Sequence, residues 1–130
     1  MNIDLINVIS LAYLGDSVYE IYVREYLIKK GIAKVEDLQR EAVKYVSAKS
    51  QSRILSYLMD NNLLTESELD VVKRGRNYKR TSHPKNTDII TYKMSSGFEA
   101  MIGYLYINDK NRLNEIINYI LGGSYEKENN

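Results

Sequence analysis

"LAYLGDSVYE", residues 11–20, places Gly15 and Asp16 inside a run that otherwise follows one apolar helix face. Glycine in a helix interior costs roughly 1 kcal/mol relative to alanine, and an aspartate beside a buried face costs more unless something neutralises it. The apolar residues keep helical spacing through Gly15, so the stretch predicts one long helix from about Leu5 to Lys30, ended by Gly31. The Gly-Asp pair therefore needs a reason other than secondary structure.

The middle of the chain also follows the helical period, and no segment shows the sustained alternation of a β-strand. Residues 35–61 predict a second helical region, with Ser47 as a possible joint between two pieces. Thr65 and Glu68 form a capping-box pattern, which predicts a short helix ending near Gly75.

Residues 76–87 have no periodicity and contain the turn-forming residues of a loop. A further helix is expected to begin between residues 88 and 96, and a last one to follow Asp109 and end at Gly122. These patterns predict an all-α helical bundle with a single domain over residues 1–123, and we expect residues 124–130 to be a frayed tail.

Composition sets limits on the class of protein. The chain has 130 residues, 44% hydrophobic and 27% charged, which is typical of a globular domain. It contains no cysteine, and it has neither a secretory-type N-terminus nor an apolar run near the roughly 18 residues of a membrane span. We therefore expect a cytoplasmic protein that does not enter a membrane.

The net charge of +1 conceals one strongly basic segment. Residues 73–87 carry six basic side chains and no acid, which leaves a net charge of −5 on the rest of the chain. The six are Lys73, Arg74, Arg76, Lys79, Arg80 and Lys85. Such a segment is typical of a surface that binds a nucleic-acid backbone, although it also fits an ordinary solvated loop.

Two acids share the same kind of setting. Asp16 follows Gly15, and Glu99 lies four residues before Gly103 within "FEAMIGYLYI". If the two helices cross at these glycines, the carboxylates converge and require a cation, because removing a charge from water costs several kcal/mol. Magnesium is the natural candidate, since it often uses one or two protein carboxylates and completes its shell with water and phosphate oxygens.

Simpler interpretations exist for these acids. Asp16 would begin a helix if Ser17 and Glu20 formed a capping box after a turn at Gly15. Glu99 would be a partly exposed acid if it lay near a helix N-terminus, where the helix dipole favours it. Glu20 also has the spacing of a surface ion pair with the basic residue one turn later.

Taken together, "LAYLGDSVYEIYVREYL" and "FEAMIGYLYI" resemble the two signature helices of the ribonuclease III family. The segments "YVSAKSQ", "RGRN", "PKNTD" and "TYKMSSGFEAMIGYLY" are similar to its short Mini-ribonuclease III branch, which lacks a separate domain for double-stranded RNA. The resemblance covers nearly the whole chain, with its motifs in the same order.

This resemblance implies a dimeric, magnesium-dependent endonuclease domain that cuts double-stranded RNA and matures the ends of large-subunit (23S) ribosomal RNA precursors. Asp16 and Glu99 match the family's catalytic and metal-site acids. The larger family has further acids at the positions of Ala12 and Ser96, which leaves the number of metal ions per site open. One ion held by Asp16 and Glu99 is the simplest expectation.

Without a separate binding domain, the basic segment from Lys73 to Lys85 is expected to hold the RNA duplex, and no DNA partner is expected. Ala12 and Ser96 favour one alternative, a non-catalytic helical scaffold that binds double-stranded RNA on the ribosome. A helical protein-interaction bundle without any RNA role is a third possibility.

Overall fold

The computed structural model describes residues 2–78 and 88–129, and within these ranges every regular element is helical. A single 3₁₀ turn at Ile3–Leu5 precedes seven α-helices. They are α1 (Val8–Lys29), α2 (Val35–Val46), α3 (Ala48–Asp60), α4 (Glu66–Asn77), α5 (Ile89–Asn108), α6 (Lys110–Ile120) and α7 (Ser124–Asn129). The all-α prediction is confirmed.

Helix α5 is the centre of the bundle. It packs most extensively against α1, then against α4 and α3, and less extensively against α6. Its inward residues include Phe98, Met101 and Ile102, which are fully buried, and Phe98 meets the ring of Tyr19 edge-on at 4.9 Å. A helix buried on several sides is apolar nearly all round, which explains why α5 carries few charges.

Local capping chemistry sets most of the helix ends where the sequence predicted them. Gly31 has φ +96° and follows the last turn of α1, a conformation that glycine adopts without strain. Ser47 separates α2 from α3 and caps α3, and the Thr65–Glu68 capping box is formed in full. Asp109 caps α6 by accepting a hydrogen bond from the backbone N–H of Arg112.

Two predicted ends were wrong by a few residues. Helix α1 begins at Val8 rather than near Leu5, because the Asn7 side chain accepts from the Ile9 backbone N–H at 2.8 Å and starts the helix there. Helix α4 continues to Asn77 rather than ending near Gly75, so Arg76 is helical and not part of a loop.

The C-terminal segment differs from the frayed tail that the sequence predicted. Residues 124–129 form a short helix whose side chains bond to the bundle. The Tyr57 hydroxyl donates to Ser124 Oγ at 2.7 Å, and the Tyr26 hydroxyl donates to Glu126 Oε2 at 3.1 Å. Tertiary contacts therefore order a helix too short to form by its own propensity.

The helices can also be compared with a membrane-spanning helix, which needs about 20 consecutive apolar residues. Within residues 2–78 and 88–129, none of the helices is long and apolar enough to cross a membrane.

Candidate active site

Helices α1 and α5 cross where both have a glycine. A Cβ atom added to Gly15 would lie 1.8 Å from the carbonyl oxygen of Glu99, and one added to Gly103 would lie 2.0 Å from the carbonyl oxygen of Leu11. No side chain fits in either place, so the two backbones touch. This contact explains the glycine inside the "LAYLGDSVYE" helix: its cost in helix propensity is offset by close packing that any larger residue would prevent.

The crossing carries both candidate acids. Asp16 directly follows Gly15 and is exposed, whereas the backbone of Glu99 is itself the contact of Gly15 and its side chain is half-buried. Both lie inside continuous helices, so Asp16 does not begin a helix and Glu99 is not near a helix N-terminus. The structure therefore brings the backbone segments around Asp16 and Glu99 together, as the glycine pattern predicted.

One oxygen of Glu99 has a partner that the sequence interpretation missed. Gln51, buried to 1% exposure on α3, donates from Nε2 to Glu99 Oε2 at 3.4 Å and to the Val46 carbonyl oxygen at 3.2 Å. Its Oε1 accepts a 2.6 Å hydrogen bond from the Ser95 hydroxyl. The sequence did contain a signal for this contact. Gln51 is a polar residue on the same face of α3 as the buried residues Ile54, Leu55 and Leu58.

The other residues considered near the acids differ in their surroundings. Glu20 forms an exposed ion pair with Arg24 at 3.1 Å, one turn later on the same helix, as the simpler interpretation predicted. Ala12 is buried in a small apolar cluster with Val71 and Ala100, and Ser96 is 4% exposed.

The donor set at the crossing fits a hard cation such as magnesium. Asp16 is exposed and Glu99 is half-buried, and each carries a carboxylate, which is the ligand type that magnesium prefers. Among the described residues there is no group of three or more His, Cys, Asp or Glu side chains that would enclose a metal ion by itself. An ion here would complete its shell with water or with substrate oxygens.

The basic end of α4 lies against the same central helix. A Cβ atom on Gly75 would lie 3.0 Å from both the Gly97 Cα and the Ala100 Cβ atoms, so α4 approaches α5 beside the segment that carries Glu99. Lys73 is exposed on this end of α4, and Arg76 is half-buried.

Of the remaining basic residues of the basic segment, only Arg74 lies within the described ranges. Arg74 is half-buried and donates from Nη2 to the carbonyl oxygen of Ile6 at 3.4 Å, so it also ties α4 to the N-terminal turn. Lys79, Arg80 and Lys85 lie outside the described residues.

Comparisons with known proteins identify the family of this chain. The family model described as the ribonuclease III domain matches residues 9–110. Mini-ribonuclease 3 of Streptococcus pneumoniae is 43% identical over 93% of this chain and 95% of that protein. Mini-ribonuclease 3 of Staphylococcus aureus is 46% identical over 92% of this chain and 90% of that protein.

The fold comparison points the same way. A crystal structure of a protein from Fusobacterium nucleatum superposes with a TM-score of 0.80 at 30% identity, covering 90% of this chain and 94% of that one. The matched family domain spans both α1 and α5, the helices that cross at Gly15 and Gly103. The chain belongs to the ribonuclease III family of endoribonucleases, within its Mini-ribonuclease III branch.

Proposed function

We propose that this protein is a magnesium-dependent endoribonuclease that cleaves double-stranded RNA. The observation that carries the proposal is the α1–α5 crossing, where the contact of Gly15 with Glu99 sets two acid-bearing backbone segments against each other. Membership of the ribonuclease III family supports RNA as the substrate.

Asp16 and Glu99 are the residues that would hold the metal ion. A bound magnesium ion supplies Lewis-acid stabilisation of a phosphodiester and lowers the pKa of a coordinated water. The protein's part is to fix the two carboxylates relative to each other, because catalysis is sensitive to misplacement by about 1 Å. Rigid backbone contact at the crossing serves this purpose better than a loop would.

The basic segment is the proposed grip on the RNA backbone. Lys73, Arg74 and Arg76 on α4, with Lys79, Arg80 and Lys85 after it, would neutralise phosphates next to the acids. A-form RNA buries its base edges in a deep major groove, so contacts across the minor groove read shape rather than sequence. Binding should accordingly weaken with salt as counterions are released.

A homodimer would supply one site for each RNA strand. Helix α1 and the turn before it expose large apolar side chains, with Leu5 and Tyr13 each 82% exposed and Ile21 65% exposed. A second copy would cover this surface with two-fold symmetry, which matches the opposed strands of a duplex.

The proposed biological substrate is the large-subunit (23S) ribosomal RNA precursor, whose ends the enzyme would mature in the cytoplasm. Similarity to proteins named Mini-ribonuclease 3 supports this assignment, and a chain without cysteine suits a reducing compartment.

The decisive assay incubates the protein with long duplex RNA in magnesium and in chelator, beside Asp16→Asn and Glu99→Gln variants. We expect cutting that requires metal and is lost in both variants, with the variants still folded. The alternative is a non-catalytic scaffold that binds duplex RNA, favoured by the presence of Ala12 and Ser96 at the positions where the larger family has further acids. Intact RNA that is nonetheless bound would establish the scaffold.

A further inference from the structure

Gln51 is a buried polar side chain on an otherwise apolar helix face. It is 1% exposed, and the residues that share its face of α3, Ile54, Leu55 and Leu58, are fully buried. A buried amide costs free energy unless its donors and acceptor are paired. Its three hydrogen bonds join the end of α2, α3 and α5 at the point where Glu99 lies.

The partners fix which way the amide points. The Val46 carbonyl and the Glu99 carboxylate only accept hydrogen bonds, so the nitrogen Nε2, which has two N–H groups, must face them. The oxygen Oε1 then faces Ser95, whose hydroxyl donates at 2.6 Å. A reversed amide would set oxygen against oxygen at both acceptors.

We propose that Gln51 is a positioning residue that orients the Glu99 carboxylate for metal binding at the α1–α5 crossing. The proposal rests on the proposed function, because it presupposes that Asp16 and Glu99 hold the ion. Glutamate has three rotatable side-chain bonds, and a donor anchored to Val46 and Ser95 restricts them. The 3.4 Å contact with Glu99 is long for a hydrogen bond, whereas the bonds to Val46 at 3.2 Å and Ser95 at 2.6 Å are shorter and hold the amide in place.

The chemistry of the donor suits this role. A neutral amide directs one carboxylate oxygen without bringing a positive charge that would repel the cation. Hydrogen-bond partners of this kind around metal sites orient the ligands, and losing one costs about 10-fold or more in metal affinity.

The test uses Mn²⁺ alone as the probe and the full chain freed of metal. Isothermal titration calorimetry compares the unsubstituted protein with Gln51→Met, which keeps the side-chain length and removes the hydrogen bonds. We expect the Mn²⁺ dissociation constant to rise about 10-fold. The magnesium concentration for half-maximal cleavage should rise with it, while duplex RNA binding in chelator stays the same.

Ile54→Val is the matched control, because it loosens the same face of α3 and leaves the hydrogen bonds of Gln51 in place. It should lower the unfolding temperature and leave the Mn²⁺ affinity unchanged. If Gln51→Met does not fold, Ser95→Ala decides, because it releases the Oε1 end of the amide. A smaller weakening of Mn²⁺ binding is expected there.

The outcomes separate this proposal from the proposed function. Unchanged Mn²⁺ affinity in folded Gln51→Met, or in Ser95→Ala where that variant decides, overturns the role of Gln51 and leaves the metal site standing. A shift of equal size in Ile54→Val also overturns it, because the effect would then be general loosening. Failure of the unsubstituted chain to bind Mn²⁺ overturns both.

Discussion

Helix α5 meets two neighbours through paired glycines, and the two crossings differ in closeness. Against α1, added Cβ atoms would come within 1.8 and 2.0 Å of backbone carbonyl oxygens. Against α4, the nearest approaches would be 2.8 Å at Gly97 and 3.0 Å at Gly75. In the proposed function, the tighter crossing carries the metal-binding acids, whose placement must be accurate, and the looser one carries basic residues that would attract phosphates over longer distances.

Gly15→Ala should have the largest effect, since its Cβ would meet the Glu99 backbone, which cannot rotate away. We expect the free energy of unfolding to fall by about 4 kcal/mol or more, which is a larger loss than overpacking of a core usually causes. We also expect cleavage to be lost. Urea denaturation of the variant measures it. A fully folded, active Gly15→Ala protein would show that the backbones do not touch.

Arg112→Met should have the next largest effect, because it loosens the N-terminal end of α4, opposite the end that carries Gly75. Arg112 donates to both oxygens of the 3% exposed Glu68 side chain and to the Leu63 carbonyl oxygen. Leaving that carboxylate buried without its partner should cost about 3 kcal/mol. Chemical denaturation at neutral pH measures the loss, and the surface variant Arg40→Met is the control, expected to be nearly neutral because its pair with Asp37 is exposed.

The same pair gives a pH prediction. Burial raises the pKa of the Glu68 carboxyl, but hydrogen bonds from Arg112 and Thr65 outweigh it and lower the pKa below its ordinary 4.5. Stability from this group is therefore present above pH 4.5 and lost as the pH falls through the lowered value. Unfolding followed along a pH series should show this acid loss in the unsubstituted protein and not in Arg112→Met.

Gly75→Ala should have a smaller effect than Gly15→Ala. Its Cβ would press on Gly97 and Ala100 at 3.0 Å, and the gain in helix propensity, about 1 kcal/mol, offsets part of the strain. We expect a net loss of about 1 kcal/mol in the free energy of unfolding, with cleavage retained. A loss as large as that of Gly15→Ala would remove the distinction between the crossings.

Lys73→Gln should have the smallest effect, confined to RNA affinity. Lys73 is exposed on α4, so the fold should not change. Removing one phosphate contact should reduce the slope of log affinity against log salt by about 1. The control is Lys49→Gln on α3, outside the basic segment. Equal slopes for Lys73→Gln and the unsubstituted protein would exclude Lys73 from the RNA surface.

Local chemistry made much of the fold predictable. Gly31, Ser47, Thr65 and Asp109 act on neighbouring backbone groups, so their effect on helix ends can be predicted from a few residues. The glycine spacing around Asp16 likewise indicated where two helices would meet. Arg76 was misplaced because α4 simply runs two residues beyond Gly75.

Features that depend on distant contacts were missed. Helix α7 exists because Tyr26 and Tyr57 bond to it from elsewhere in the chain. The role of Gln51 is visible only once α3 and α5 are packed together, since Ser95 and Glu99 lie more than 40 residues away in sequence.

The central claim is that Asp16 and Glu99 share one divalent ion at the α1–α5 crossing. Crystals soaked in Mn²⁺ and measured for anomalous scattering test it most directly. We predict one peak at the α1–α5 crossing of each copy of the protein, coordinated by carboxylate oxygens of both residues. A peak bound elsewhere, or the two side chains directed to separate surfaces, would contradict it.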